Sequence, residues 1–131
     1  MSSGSKTALI TGSGQNIGRG IANQLALAGF NIIVNGSRSQ DAAEAVAAEV
    51  RAHGVEALVA MGNVGIKAEA EALAKAGLDH FGKIDVLVNN AAIRPHGPFL
   101  DMNDDEWQKV MDVDLNAAIW PVSYTHLRAH E

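Results

Sequence analysis

Four short apolar runs, each followed by a longer amphipathic stretch, leave this chain few folds to choose from. Thr7 to Thr11, Asn31 to Val34, Ala57 to Ala60 and Asp85 to Asn89 read as strands. Ile17 to Ala28, Asp41 to His53, Lys67 to Phe81 and a stretch beginning near Asp104 read as helices. Such alternation is the pattern of β-α-β units around a parallel sheet, and right-handed crossovers make that sheet open and doubly wound. In the first helix Ile17, Ile21 and Leu25 recur at i, i+4 and i+8 on one face. Gly29, Gly54 and Gly82 stand where helices stop, since glycine tolerates positive φ. Val86-Leu87-Val88 is apolar on both faces, as a strand buried in a parallel sheet should be. The last helix carries Trp107, Val110, Met111 and Leu115.

Composition narrows the partners. The chain has 131 residues, a net charge of −5 and no basic run. Nucleic-acid binding needs clustered Lys and Arg, so that class is excluded. Hydrophobic residues make up 47% of the chain, enough for a buried core. No apolar stretch approaches the roughly 18 residues of a membrane span, and residues 1–6 do not form a signal peptide. The absence of cysteine excludes disulfides and thiolate metal sites, and a cytoplasmic location is expected.

The segment most informative about function is Thr11-Gly-Ser-Gly-Gln-Asn-Ile-Gly-Arg-Gly20, set between a strand and a helix. In that context glycines allow a tight turn and let backbone N–H groups approach a diphosphate, helped by the positive end of the helix. An ordinary Gly-rich connection would look similar. The segment lacks the Gly-Lys-Ser/Thr ending of a nucleotide hydrolase loop, and strict G-x-G-x-x-G spacing fails, because Gly18 follows Gly12 and Gly14.

What does fit is T-G-x-x-x-G-x-G, with Thr11, Gly12, Ile17 and Gly18 in place and Asn16 at the middle glycine. Asn89-Asn90-Ala91-Ala92, at the end of the fourth strand, matches a typical N-N-A-G with Ala92 for glycine. On these two motifs the chain resembles the short-chain dehydrogenase/reductase family over about residues 6–120, with a texture similar to 3-oxoacyl-acyl-carrier-protein reductases. The resemblance implies a truncated doubly wound sheet of order 3-2-1-4. It also implies a nicotinamide dinucleotide held by Gly12, Ser13, Gln15, Asn16, Ile17, Gly18, Asn90 and Ala91. Asn is among the residues that best tolerate positive φ, so the turn is expected to survive at Asn16, whose amide could also donate to a phosphate oxygen. Asn16→Gly is then expected to keep or raise cofactor affinity.

An acidic residue at the end of the second strand selects NAD, and a nearby Arg selects NADP. Here the strand ends Val34-Asn35-Gly36-Ser37-Arg38, with no carboxylate, and Asp41 reads as a helix-start residue. Arg38 is either a planar donor for a 2′-phosphate or a solvated loop cation, and NADP(H) is favoured over NAD(H). Asn63-Val64 stands where the family carries Asp-Val beside the adenine; a plain turn is the alternative.

Family members reduce a small carbonyl, or oxidise an alcohol, with a Tyr whose pKa a neighbouring Lys lowers, a Ser and a supporting Asn. Asp114, in Asp112-Val113-Asp114-Leu115, occupies the position of that Asn, and Asn116 is not equivalent to it on a helix. Ser123-Tyr124 with Arg128 does not replace the missing Ser-Tyr-Lys set. Lys is absent from the Y-x-x-x-K position, and Tyr124 is only ten residues beyond Asp114. Residues 122–131 resemble a translated sequencing adapter, which assigns residues 1–121 to the dinucleotide-binding part and 122–131 to a non-native tail. His126 and His130 lack a third ligand, so no metal is expected. Arg94 and His96 either border the substrate or decorate a surface loop. The reading is an N-terminal part of an NAD(P)H-dependent oxidoreductase whose complete parent is a homo-oligomer. A stand-alone dinucleotide-binding or sensing module is the alternative, and a methyltransferase-like domain is disfavoured by the Asn-Asn-Ala-Ala strand end.

Overall fold

The computed structural model describes residues 5–92, 103–116 and 119–121. Its elements are β1 (Thr7–Ile10), α1 (Asn16–Leu27), β2 (Asn31–Val34), α2 (Gln40–Ala52), β3 (Ala57–Val59), α3 (Lys67–Phe81), β4 (Val86–Val88) and α4 (Asp104–Met111). A π-helical segment, Asp112–Asn116, continues α4. The four strands form a parallel sheet of order β3-β2-β1-β4, a Rossmann-like arrangement, with Leu9 level with Ile33 on one side and Leu87 on the other. The loop of Arg94 and His96 and the segment 122–131 lie outside the described residues.

Side chains alternate across the sheet and divide the core in two. Ala8, Ile10, Ile32 and Val34 face α1 and α2, meeting Ala22, Ala26, Ala43, Val46 and Val50. Leu9 and Ile33 face the other way, onto Leu73 and Phe81 of α3. Gly77 lets α3 come close, because a Cβ there would lie 2.4 Å from Ile33 Cδ1. Gly29, Gly54 and Gly82 all have positive φ just beyond their helices, as expected for helix stops.

Three expectations change. Asp41 does not start α2: Ser39 is the N-cap, its Oγ accepting from Ala42 N–H at 3.1 Å, and Asp41 lies in the first turn. The face that α1 buries is Gly18, Ala22 and Ala26, not the Ile17-Ile21-Leu25 stripe. Small residues let the helix axis approach the sheet, which pushes the larger ones aside; Ile21 and Leu25 are half-buried and Ile17 is 74% exposed. Val86, Leu87 and Val88 are half-buried rather than buried, because β4 pairs only with β1 among the described strands. Ile17, Ile21 and Leu25 line an open apolar groove with Val86 and Val88. No helix among the described residues is long and apolar enough to cross a membrane.

Candidate functional site: a cleft at the carboxyl ends of the strands

β1 and β4 are neighbours, yet the chain leaves β1 toward β2 and β3 before returning on the far side. Such a reversal opens a crevice beyond the carboxyl ends of the strands. A cleft of about 800 Å³ lies there, bordered by the loops after all four strands and by Val113 of the π-helical segment.

The two sequence motifs are one construction. Thr11 N–H donates to Val88 C=O at 3.1 Å. The Thr11 hydroxyl accepts from Asn90 N–H at 3.0 Å and Ala91 N–H at 3.1 Å. Asn90 Nδ2 returns a bond to Gly12 C=O at 3.1 Å. So tight a junction leaves no space for a side chain at Gly12 or Gly18. A Cβ on Gly18 would lie 2.4 Å from Gly12 O and 2.6 Å from Asn90 Nδ2, and one on Gly12 would lie 3.1 Å from Ala91 Cα. Gly12 also has φ +63°, where a Cβ is strained. Gly14 is different, since a Cβ there would meet nothing closer than 3.7 Å.

Asn16 takes φ +53°, the one positive value among described non-glycine residues. The middle-glycine position therefore keeps its left-handed conformation with Asn in it. The first intrahelical bond of α1 is Arg19 N–H to Gln15 C=O at 3.2 Å. The N–H groups of Asn16, Ile17 and Gly18 are left without a partner among the described residues. No acidic residue occupies that first turn and Gln15 makes no side-chain cap. Unpaired N–H groups, no competing carboxylate and a helix N-terminus suit an anion.

Of the residues expected to hold a dinucleotide, Gly12, Gln15, Asn16, Ile17, Arg38, Asn63, Val64, Asn90 and Ala91 border the cleft. Ser13 and Gly18 do not. Ser13 is fully buried, its Oγ donating to Ile10 C=O at 2.7 Å and accepting from Asn35 N–H at 2.9 Å. Gly18 makes the room described above. Arg38 is exposed, is the one charged residue bordering the cleft among those described, and makes no ion pair or hydrogen bond with a described residue. Asn63 closes a local turn, its Oδ1 accepting from Gly65 N–H at 2.9 Å. Gly65 in turn packs against the π-helical segment, where a Cβ would lie 2.5 Å from Val113 Cγ2. Asp114 falls within that segment. Asn116 is committed elsewhere, its Nδ2 donating to Asp112 Oδ1 at 2.8 Å.

The residue that sequence reading missed is Asn35. It is 2% exposed. Its Oδ1 accepts from Gly12 N–H at 3.0 Å, while its Nδ2 donates to Ala60 C=O at 3.0 Å and Gly62 C=O at 3.2 Å. One carboxamide thus fixes the loops after β1 and β3 to the end of β2. The signal is a polar Asn directly following the apolar run Ile32-Ile33-Val34.

A model of the short chain dehydrogenase family matches residues 6–127, and the chain belongs to that family. It is 44% identical over 110 residues to the 3-oxoacyl-[acyl-carrier-protein] reductase FabG of Staphylococcus epidermidis, covering 84% of this chain and 45% of that protein. A 3-oxoacyl-[acyl-carrier-protein] reductase of Synechocystis is 43% identical over 110 residues, covering 84% of this chain and 44% of the relative. Among solved structures, a blue fluorescent protein from a metagenomic library in complex with NADPH superposes with a TM-score of 0.88 at 26% identity, covering 93% of this chain and 50% of that one. The chain spans about half the length of the relatives it matches.

Proposed function

We propose that this chain is the dinucleotide-binding part of an NADP(H)-preferring short-chain oxidoreductase that moves a hydride between the nicotinamide and a small carbonyl or alcohol. The observation that carries the reading is the cradle: three N–H groups at the start of α1 with no partner among the described residues, beside a turn in which Gly12 and Gly18 leave no room for a Cβ. The bound cofactor would supply the hydride. The chain's own residues would orient it, with the diphosphate over residues 16–18, the 2′-phosphate at Arg38, and the adenine beside Asn63 and Val64. Support for NADP(H) comes from the Arg38 guanidinium, which has no partner among the described residues, from the absence of a carboxylate among the described cleft residues, and from the NADPH-bound structural neighbour.

No Tyr, Lys or carboxylate borders the cleft among the described residues. The 131-residue chain is therefore expected to bind cofactor without turning over a carbonyl. In a complete parent, Asp114 would replace an amide donor with a group that only accepts when ionised, weakening any proton relay routed through it. The test is a titration of the chain with NADPH and NADH. Loss of one charge-assisted hydrogen bond is worth about 1.5–3 kcal/mol, so NADPH should bind at least about tenfold more tightly, and Arg38→Ala should remove the difference. Equal or tighter NADH binding would reject the preference, and no uptake of either at millimolar concentration would reject the function.

A further inference from the structure

Asn16 holds a backbone conformation that glycine adopts without strain. A side chain retained there needs a reason. The residue borders the cleft, and its carboxamide makes no hydrogen bond with any described residue. The charges nearby sharpen the point. Arg38, the cleft's one cation among the described residues, comes from the loop after β2. Arg19 is close in sequence to the cradle, but Glu49 of α2 holds it in a bidentate pair, with Nε to Oε1 at 2.9 Å and an Nη2 to Oε2 contact. Among the described residues, the end of the cleft built by the α1 turn therefore offers an anion only neutral donors, namely backbone N–H groups and the carboxamides of Gln15 and Asn16.

We infer that Asn16 is a positioning residue for the cofactor diphosphate, its Nδ2 donating to an anionic oxygen at an end of the cleft where no described residue is a cation. This step rests on the dinucleotide reading above. It reverses the expectation drawn from sequence, in which glycine at this position would serve as well or better. The carboxamide belongs to the same residue whose N–H has no partner among the described residues, so one residue can present two donors to one anion.

The experiment compares wild type, Asn16→Gly and Asn16→Asp by fluorescence titration with NADPH and, separately, with adenosine 2′-monophosphate, which lacks a diphosphate. Both replacements tolerate positive φ, and far-UV circular dichroism with a thermal melt checks that each variant is folded. Asn16→Gly should weaken NADPH binding about tenfold, the scale of one hydrogen bond to a charged group, and leave adenosine 2′-monophosphate binding unchanged. Asn16→Asp should weaken NADPH binding further, because a carboxylate repels the diphosphate. If Asn16→Gly binds NADPH as tightly as wild type, or loses both ligands equally, Asn16 has no such role. Wild type failing to bind NADPH at all would instead overturn the dinucleotide reading on which this step stands.

Discussion

Replacing Asn35 by alanine removes three hydrogen bonds at once and leaves their partners in place. Those partners are Gly12 N–H, Ala60 C=O and Gly62 C=O, at 3.0, 3.0 and 3.2 Å. A buried group left unsatisfied costs about 1–3 kcal/mol, more than the net worth of the bond that satisfied it. Gly12 and Gly62 border the open cleft, where water can reach them, so their losses belong at the low end. Ala60 is buried and its carbonyl should bear the larger penalty. The sum is about 3–4 kcal/mol, a large part of the roughly 5–15 kcal/mol that holds a domain together. In urea, with a slope of about 1–3 kcal/mol per molar, the unfolding midpoint should fall by about 2 M. Asn35→Leu separates hydrogen bonding from volume, because it refills the space but supplies no donor or acceptor. It should lose nearly as much stability as alanine does. NADPH binding should weaken in both variants, since Gly12 is no longer pinned. A leucine variant as stable as wild type, or an alanine variant with an unchanged midpoint, would show that Asn35 merely fills space.

Other perturbations follow the same logic. Gly18→Ala places a methyl group 2.4 Å from the Gly12 carbonyl oxygen, a backbone atom that cannot swing away. It should cost at least about 1–3 kcal/mol in a denaturant melt and abolish NADPH binding; a variant that still binds would refute the close-packed turn. Glu49 is held below the ordinary carboxylate range, first by its hydrogen bond from Arg19 and then by that from Asn23. A depressed folded pKa contributes stability above the unfolded value, and that contribution is lost as pH falls through the folded one. Arg19→Gln should therefore lower the urea midpoint slightly at neutral pH, and the two proteins should converge in acid below the usual carboxylate range; a gap that persists there would contradict the pairing. The half-buried apolar edge at β4 should make the 131-residue chain self-associate. A monodisperse monomer in light scattering, with a cooperative melt, would overturn that.

Most of the fold was legible because it depends on patterns a sequence displays. Short continuous apolar runs and glycine stops placed every strand and the first three helix ends to within a residue or so. What was hidden depends on distance between segments. The apolar stripe of α1 pointed to Ile17, Ile21 and Leu25, yet small size decided the contact at Gly18, Ala22 and Ala26. Ser13 looked like a ligand-facing turn residue, but its hydroxyl is consumed between Ile10 and Asn35. Asn35 could not be recognised as a hub before β1, β2 and β3 were known to lie side by side. Asn16 went the other way. Its tolerance of positive φ was predictable from chemistry alone, and the structure places it at φ +53°.

The Thr11 hydroxyl is met by Asn90 and Ala91, partners 79 and 80 positions away. On the ribosome, the opening strand and its turn would thus emerge long before anything could hold them closed. Until the fourth strand has been synthesised, a nascent chain has no finished pocket that ligand could stabilise. Damage to this latch should accordingly appear as a late defect in maturation, and extra cofactor would rescue only those molecules that have already closed it.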